Sequence, residues 1–148
     1  MGLPNPRFEE SYTRIFGHGI GMHEGSDDFF WAFYDRFTKH PEVATLFAET
    51  DLARQVGMLK KSMFQLVSYY VVGGPTAELD RLGRVHKLLG IRAALFDIWL
   101  RALVDTAAQF DPEFDETTEL AWCWALCPGI AYLQLVMMDA VYLADSPA

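Results

Sequence analysis

The chain has no run of basic residues, no strand-length alternation of apolar and polar positions, no internal repeat and no cysteine pair placed to close a loop. Each absence removes a class of protein. Twelve Lys and Arg against 20 Asp and Glu give a formal charge of −8, and scattered cations leave no electrostatic footprint for nucleic acid. No nucleic-acid partner is therefore expected. Cys123 and Cys127 lie one helical turn apart in an apolar stretch, which reads as two small buried residues in a reducing compartment. Pro4, Arg7, Glu9 and Glu10 interrupt the N-terminus where a leader would need a continuous apolar segment, so the expected localisation is cytoplasmic.

One apolar run is long enough to raise a membrane span. From Leu120 to Met138 only Gln134 is clearly polar. Its flanks carry Asp115, Glu116, Glu119, Asp139 and Asp145, no Lys or Arg follows Arg101, and Pro128-Gly129 sits in the middle. With no cationic anchor on either side, the run reads as a central, almost wholly buried helix, and no span is expected.

The 148 residues suit one domain with a core of its own, and the punctuation suits helices joined by short links. A first helix is expected over 7–17 through Phe8, Tyr12, Ile15 and Phe16, closed by Gly17. Ser26 is placed to cap an aromatic helix holding Phe29, Phe30, Phe33, Tyr34 and Phe37, which stops at His40-Pro41. A short turn with Val43, Leu46 and Phe47 precedes a helix capped by Asp51 and ended by Gly73-Gly74-Pro75. A further helix over about 76–89 is closed by Gly90, another runs from Leu95 to near Asp111-Pro112, and the last runs from Thr117 or Thr118 to about Leu143, with Pro128 a candidate kink. Six or seven helices make an all-α, non-bundle fold.

His86 is the informative residue. It follows Leu79 and Leu82 and precedes Leu89 at a spacing that stacks all four on one helix face. Burying a neutral imidazole without a partner costs roughly 1–3 kcal/mol, so a carbonyl, a carboxylate or a metal must meet one ring nitrogen. His18, His23 and His40 fall in links.

The segment Phe33-Tyr34-Asp35-Arg36-Phe37, followed by His40-Pro41-Glu42 and Leu46-Phe47, resembles the second helix and following corner of bacterial globins, in particular flavohaemoglobin haem domains and sensor-type globins. Asp51 to Leu59, with Gln55 and Met58-Leu59, is similar to their distal helix. Leu82-Gly83-Arg84-Val85-His86 with Gly90-Ile91 is similar to their proximal segment, and Ala121-Trp122 to their last helix. The resemblance spans about 26–138. It implies a globin fold of six to seven helices, with residues 1–25 forming an N-terminal helix and link and 26–143 the haem-pocket helices of one domain.

It further implies haem b held through His86 as the iron ligand, with Phe47 packed against the macrocycle and Tyr34 and Gln55 facing bound O2, NO or CO. Leu59, Ile91, Leu95 and Phe96 are then expected to line the pocket, with Arg84, Lys87 and Arg92 as propionate contacts. The sequence departs from flavohaemoglobins where they carry a proximal Tyr and Glu around the ligand histidine: the aligned residues are Phe96 and Met137, with Asp139 the nearest acid. No reductase domain is expected in the chain, so an NO dioxygenase would draw on an external reductase. A gas sensor or reservoir, that dioxygenase and a haem-free interaction module are the three readings, and a homodimer through the Trp-rich final helix or a signalling partner stays open.

Overall fold

A computed structural model describes residues 4–17 and 27–140. These form seven helices and no strand: α1 (Pro6–Phe16), α2 (Asp27–Phe37), α3 (Pro41–Phe47), α4 (Leu52–Val72), α5 (Ala77–Leu88), α6 (Leu95–Phe110) and α7 (Glu116–Met137). The expected cap Ser26 and the link histidines His18 and His23 lie outside the described residues.

Local chemistry sets most boundaries. Asn5 caps α1 by accepting from Phe8 N, Asp51 caps α4 from Ala53 N and Arg54 N, and Thr76 caps α5 from Leu79 N. The segment after His40-Pro41, expected as a turn, is the seven-residue α3, because Pro41 occupies a first-turn position where its missing N–H costs nothing. The last helix starts earlier than expected, since Asp115 supplies the cap to Thr118 N. It also ends earlier, at Met137 rather than near Leu143. Asp139 takes a left-handed φ of 56°, Ala140 N bonds to Leu135 O at 2.8 Å and Asp139 N to Val136 O at 3.1 Å, a Schellman closure without glycine. Pro128 does not interrupt α7; it stands on the exposed face.

The core is aromatic and continuous. Phe16 stacks on Phe30 with centroids 5.8 Å apart and meets Phe29 edge-on at 4.8 Å, while Phe33 meets Trp99 at 5.8 Å. α7 runs through the middle against α1, α4, α5 and α6, burying Trp122, Leu126 and Leu133 completely. By length and composition it is the one described helix able to cross a bilayer, yet 56% of its apolar window is buried inside the fold. The two cysteines were expected in that core, and they are not: Cys123 is half-buried and Cys127 exposed.

A buried polar clamp ties the N-terminus to this core. Asp111, fully buried, accepts from Arg14 Nε at 2.6 Å, Arg14 Nη2 at 2.9 Å and Ser11 Oγ at 2.6 Å, and Trp122 Nε1 donates to Ser11 at 2.9 Å. α5 is held against α7 by close approach at Gly83. A methyl group there would lie 2.7 Å from Val136 Cγ1, so only glycine lets the His86 helix sit this near.

Candidate functional site

A cavity of about 440 Å³ opens between the helices, and every helix after α1 contributes to its lining. α2 supplies Tyr34 and Phe37, and α3 supplies Leu46 and Phe47. α4 supplies Gln55, Met58, Leu59, Ser62 and Leu66. α5 and the following link supply Leu82, Val85, His86, Leu89 and Ile91, with Leu95, Phe96 and Trp99 from α6 and Leu133 from α7. A second, shallow groove of about 530 Å³ beside Arg36, Lys39, Asp97 and Arg101 is larger, but Lys39 and Arg101 are ion-paired with Asp35 and Asp105, Arg36 bonds to Thr106 and Asp97 accepts from Gln134. The enclosed apolar cavity is the candidate site.

His86 reaches the cavity from the last turn of α5. Its Nδ1 donates to the Leu82 carbonyl at 2.7 Å, which fixes the tautomer and leaves Nε2 as the nitrogen with a free lone pair. The Phe96 ring stands edge-on to the imidazole at 5.4 Å. The helix terminates just beyond. Gly90, at a φ of 74°, closes a Schellman motif in which Ile91 N bonds to His86 O at 3.2 Å and Gly90 N to Lys87 O at 2.9 Å. One backbone device thereby places both His86 and Ile91 at the cavity wall.

Leu89 was expected to point inward with Leu79, Leu82 and His86. It is 69% exposed, at the cavity rim, because α5 leaves the core as it nears this terminus: Leu79 is fully buried, whereas Leu82 and His86 are only half-buried.

Across the cavity Tyr34 is buried, its hydroxyl donating at 3.3 Å to the main-chain carbonyl of Gln55. Burial pushes its pKa far above the ordinary phenol value, against a smaller downward pull from the Gln55 side chain, so it remains a neutral donor. The Gln55 side chain is half-buried in the lining. Phe47 packs edge-on to Tyr34 at 5.6 Å.

The expected cations are elsewhere. Arg84 donates to Asp80 at 2.7 Å, Arg92 makes two bonds to Glu42 at 2.8 and 2.6 Å, and Lys87 pairs with Asp139; none lines the cavity. Each found a carboxylate within reach, one on its own helix and two brought close by folding. Asp139, engaged with Lys87, gives His86 no second partner.

Sequence reasoning missed Ser62 and Leu66, although both continue the Gln55–Leu59 face of α4 at helical spacing. Thr50, Trp99 and Leu133 reach the lining only through tertiary packing and carried no local signal.

No family model matches the chain, and no curated protein does. Among solved structures, a Pseudomonas aeruginosa protein described as structurally highly homologous to human haemoglobin matches with a TM-score of 0.74 and 32% identity, over 89% of this chain and 96% of that one. With seven helices, a cavity lined from six of them and a likeness of that length and identity, the chain belongs to the globin family.

Proposed function

We propose that the protein is a haem globin that takes haem b in this cavity and reversibly binds O2, NO or CO, acting as a gas sensor or reservoir. The carrying observation is the cavity with one imidazole presented by a fixed tautomer. Among the described residues no three His, Cys, Asp or Glu side chains gather as a metal site, so a metal bound here has to bring most of its own ligands, as a porphyrin does. The rim supports the same reading. Leu46, Met58, Val85 and Leu89 expose apolar surface around the mouth, which a flat hydrophobic group would cover.

Bound haem would supply the iron centre at which a diatomic gas is held. The chain's own residues do the rest. The Leu82 carbonyl orients His86 and makes it a better donor. On a wall that includes Phe37, Phe47 and Leu59, the Gln55 amide can donate to a ligand, and the Tyr34 hydroxyl would donate by turning away from the Gln55 main-chain carbonyl. Such donors favour a ligand that carries partial negative charge, each by roughly 1.5–3 kcal/mol.

The test is the absorption spectrum of the purified protein and of His86→Ala. A strong Soret band is expected, lost in the variant and recovered by added imidazole, with helicity unchanged by circular dichroism. Unchanged haem occupancy in His86→Ala would overturn the assignment. An NO dioxygenase fed by an external reductase would use the same donors, and steady NO consumption with NADH and an added reductase would move the reading there.

A further inference from the structure

Three features of the molecule have no part in gas binding. The groove of Arg36, Lys39 and Arg101 holds cations already paired with Asp35, Asp105 and Glu119 or bonded to Thr106. His40 Nδ1 is buried without a hydrogen-bond partner but belongs to no cavity lining. The third is the outer face of α7, which carries an inference.

That face is apolar along its whole length and uncharged. Leu120, Trp124, Leu135 and Met138 are 63, 53, 42 and 68% exposed, and Cys127, Pro128 and Ala131 lie exposed between them. The positions recur every three or four residues, so they form one stripe, about 27 Å long at 1.5 Å per residue. Arg101 and Glu119, joined at 2.8 Å, and Asp97 flank it, giving an apolar centre with a charged rim. Its exposed surface is roughly 600 Å², at the upper end for the largest patch on a monomer.

The order of residues along the stripe says what fits it. Reversed about the Cys127–Pro128 bond, the stripe matches itself in size: Leu120 falls opposite Leu135, Trp124 opposite Ala131, and Cys127 opposite Pro128. An antiparallel pair of such helices around a two-fold axis sets each large indole against a small methyl, twice, which is the self-complementarity an isologous interface requires. The area agrees. Two copies would bury on the order of 1,200 Å², the lower bound of a specific interface. At the ends Glu116 falls opposite the partner's Asp139, whose charge Lys87 already offsets.

We infer that the protein forms a two-fold dimer through antiparallel packing of α7 on α7, with the axis beside Cys127. The register makes the proposal testable apart from gas binding. Sedimentation of the full chain as purified should show a dimer at micromolar concentration, and a short bismaleimide should link it through Cys127, with Cys127→Ser abolishing the link. Trp124→Ala and Ala131→Trp should each weaken the dimer tenfold or more, and the double variant that exchanges the two side chains should recover most of the affinity. All three positions are exposed, so helicity and haem content serve as controls for folding. A monomer at 100 μM would overturn the inference, as would a dimer indifferent to Trp124→Glu or an exchange variant no tighter than its parents.

Discussion

Replacing Asp111 with Ala should be among the most damaging single changes outside the cavity. The carboxylate is fully buried and accepts three side-chain hydrogen bonds, plus one from Glu113 N at 2.9 Å. Its removal leaves the Arg14 guanidinium and the Ser11 hydroxyl without their acceptor in the wedge between α1 and α6. Breaking a buried pair from one side costs about 3–5 kcal/mol. Arg14 is 27% exposed and has Glu113 within 3.5 Å, so water and a second carboxylate offset part of this and the low end, about 3 kcal/mol, is expected. For a domain of this size that is a fall in Tm of about 6–12 °C, or a urea midpoint lower by roughly 1–2 M.

The same site sets the acid limb of stability. Burial alone would raise the Asp111 pKa, but the bonds from Arg14, Ser11 and Glu113 N, with the Arg14 charge, outweigh it and hold the value below the ordinary 3.8. A depressed carboxylate contributes stability that is present above its unfolded value and lost as pH falls through the folded one. Asp111→Asn, which keeps the shape without the charge, should therefore flatten the loss of stability below about pH 4. Urea melts of parent, Ala and Asn variants from pH 7 to pH 3 measure both effects. A cost under about 0.5 kcal/mol for Asp111→Ala at pH 7 would refute the reasoning, because the clamp would then be doing no more than an exposed ion pair.

Gly83→Ala places a methyl 2.7 Å from Val136, and overpacking of about 1–3 kcal/mol should exceed the gain of up to about 1 kcal/mol from better helix propensity; in a Val136→Ala background the added cost should vanish, and equal costs in both backgrounds by thermal melts would show that Val136 is not the obstacle. Gly90→Ala meets no atom within 4 Å, yet the left-handed φ of 74° should cost about 1–2 kcal/mol, read as faster haem loss because His86 and Ile91 flank the closure. Tyr34→Phe should speed O2 dissociation about tenfold with little change for CO, which carries less charge for a donor to stabilise. Gln55→Leu should do less, since the carbonyl that accepts from Tyr34 belongs to the main chain and survives the substitution; stopped-flow rates for the two gases decide, and equal effects on both would mean the donors do not face the ligand.

The helices were legible because their ends are written in short-range chemistry. Asp51, Thr76 and Gly90 act through bonds spanning only a few residues, and aromatic spacing in α2 shows its buried face directly. What stayed hidden spans the chain: Ser11 meets Asp111 across 100 residues, and Arg92 meets Glu42 across 50. A cation near a helix end announces that it will find an anion, not which one: Arg84, Lys87 and Arg92, expected as propionate contacts, are engaged here with Asp80, Asp139 and Glu42. α7 hid its orientation for a different reason. Apolar on both the core side and the outer side, it has no polar face to mark solvent, and the placement of Cys123 and Cys127 could not be read from it.

The site itself was legible through a conflict of rules, and the structure shows how that conflict resolves. The order Leu79, Leu82, His86, Leu89 reads as a buried stripe broken by one polar ring. In the fold the stripe is buried only at its start; by His86 the helix has become a cavity wall, and at Leu89 its rim. The pattern of apolar residues is the same for a core face and for a wall that covers itself with a ligand, and only the imidazole distinguishes them in sequence. The physical difference lies in the exposed remainder. Leu46, Met58, Val85 and Leu89 leave between 37 and 69% of their surfaces to water, and every 100 Å² of such surface covered contributes about 2.5 kcal/mol. Hydrophobic free energy that a core would have spent on folding therefore stays available at this mouth, and under the haem reading proposed above the His86 nitrogen would select the flat ligand that covers it.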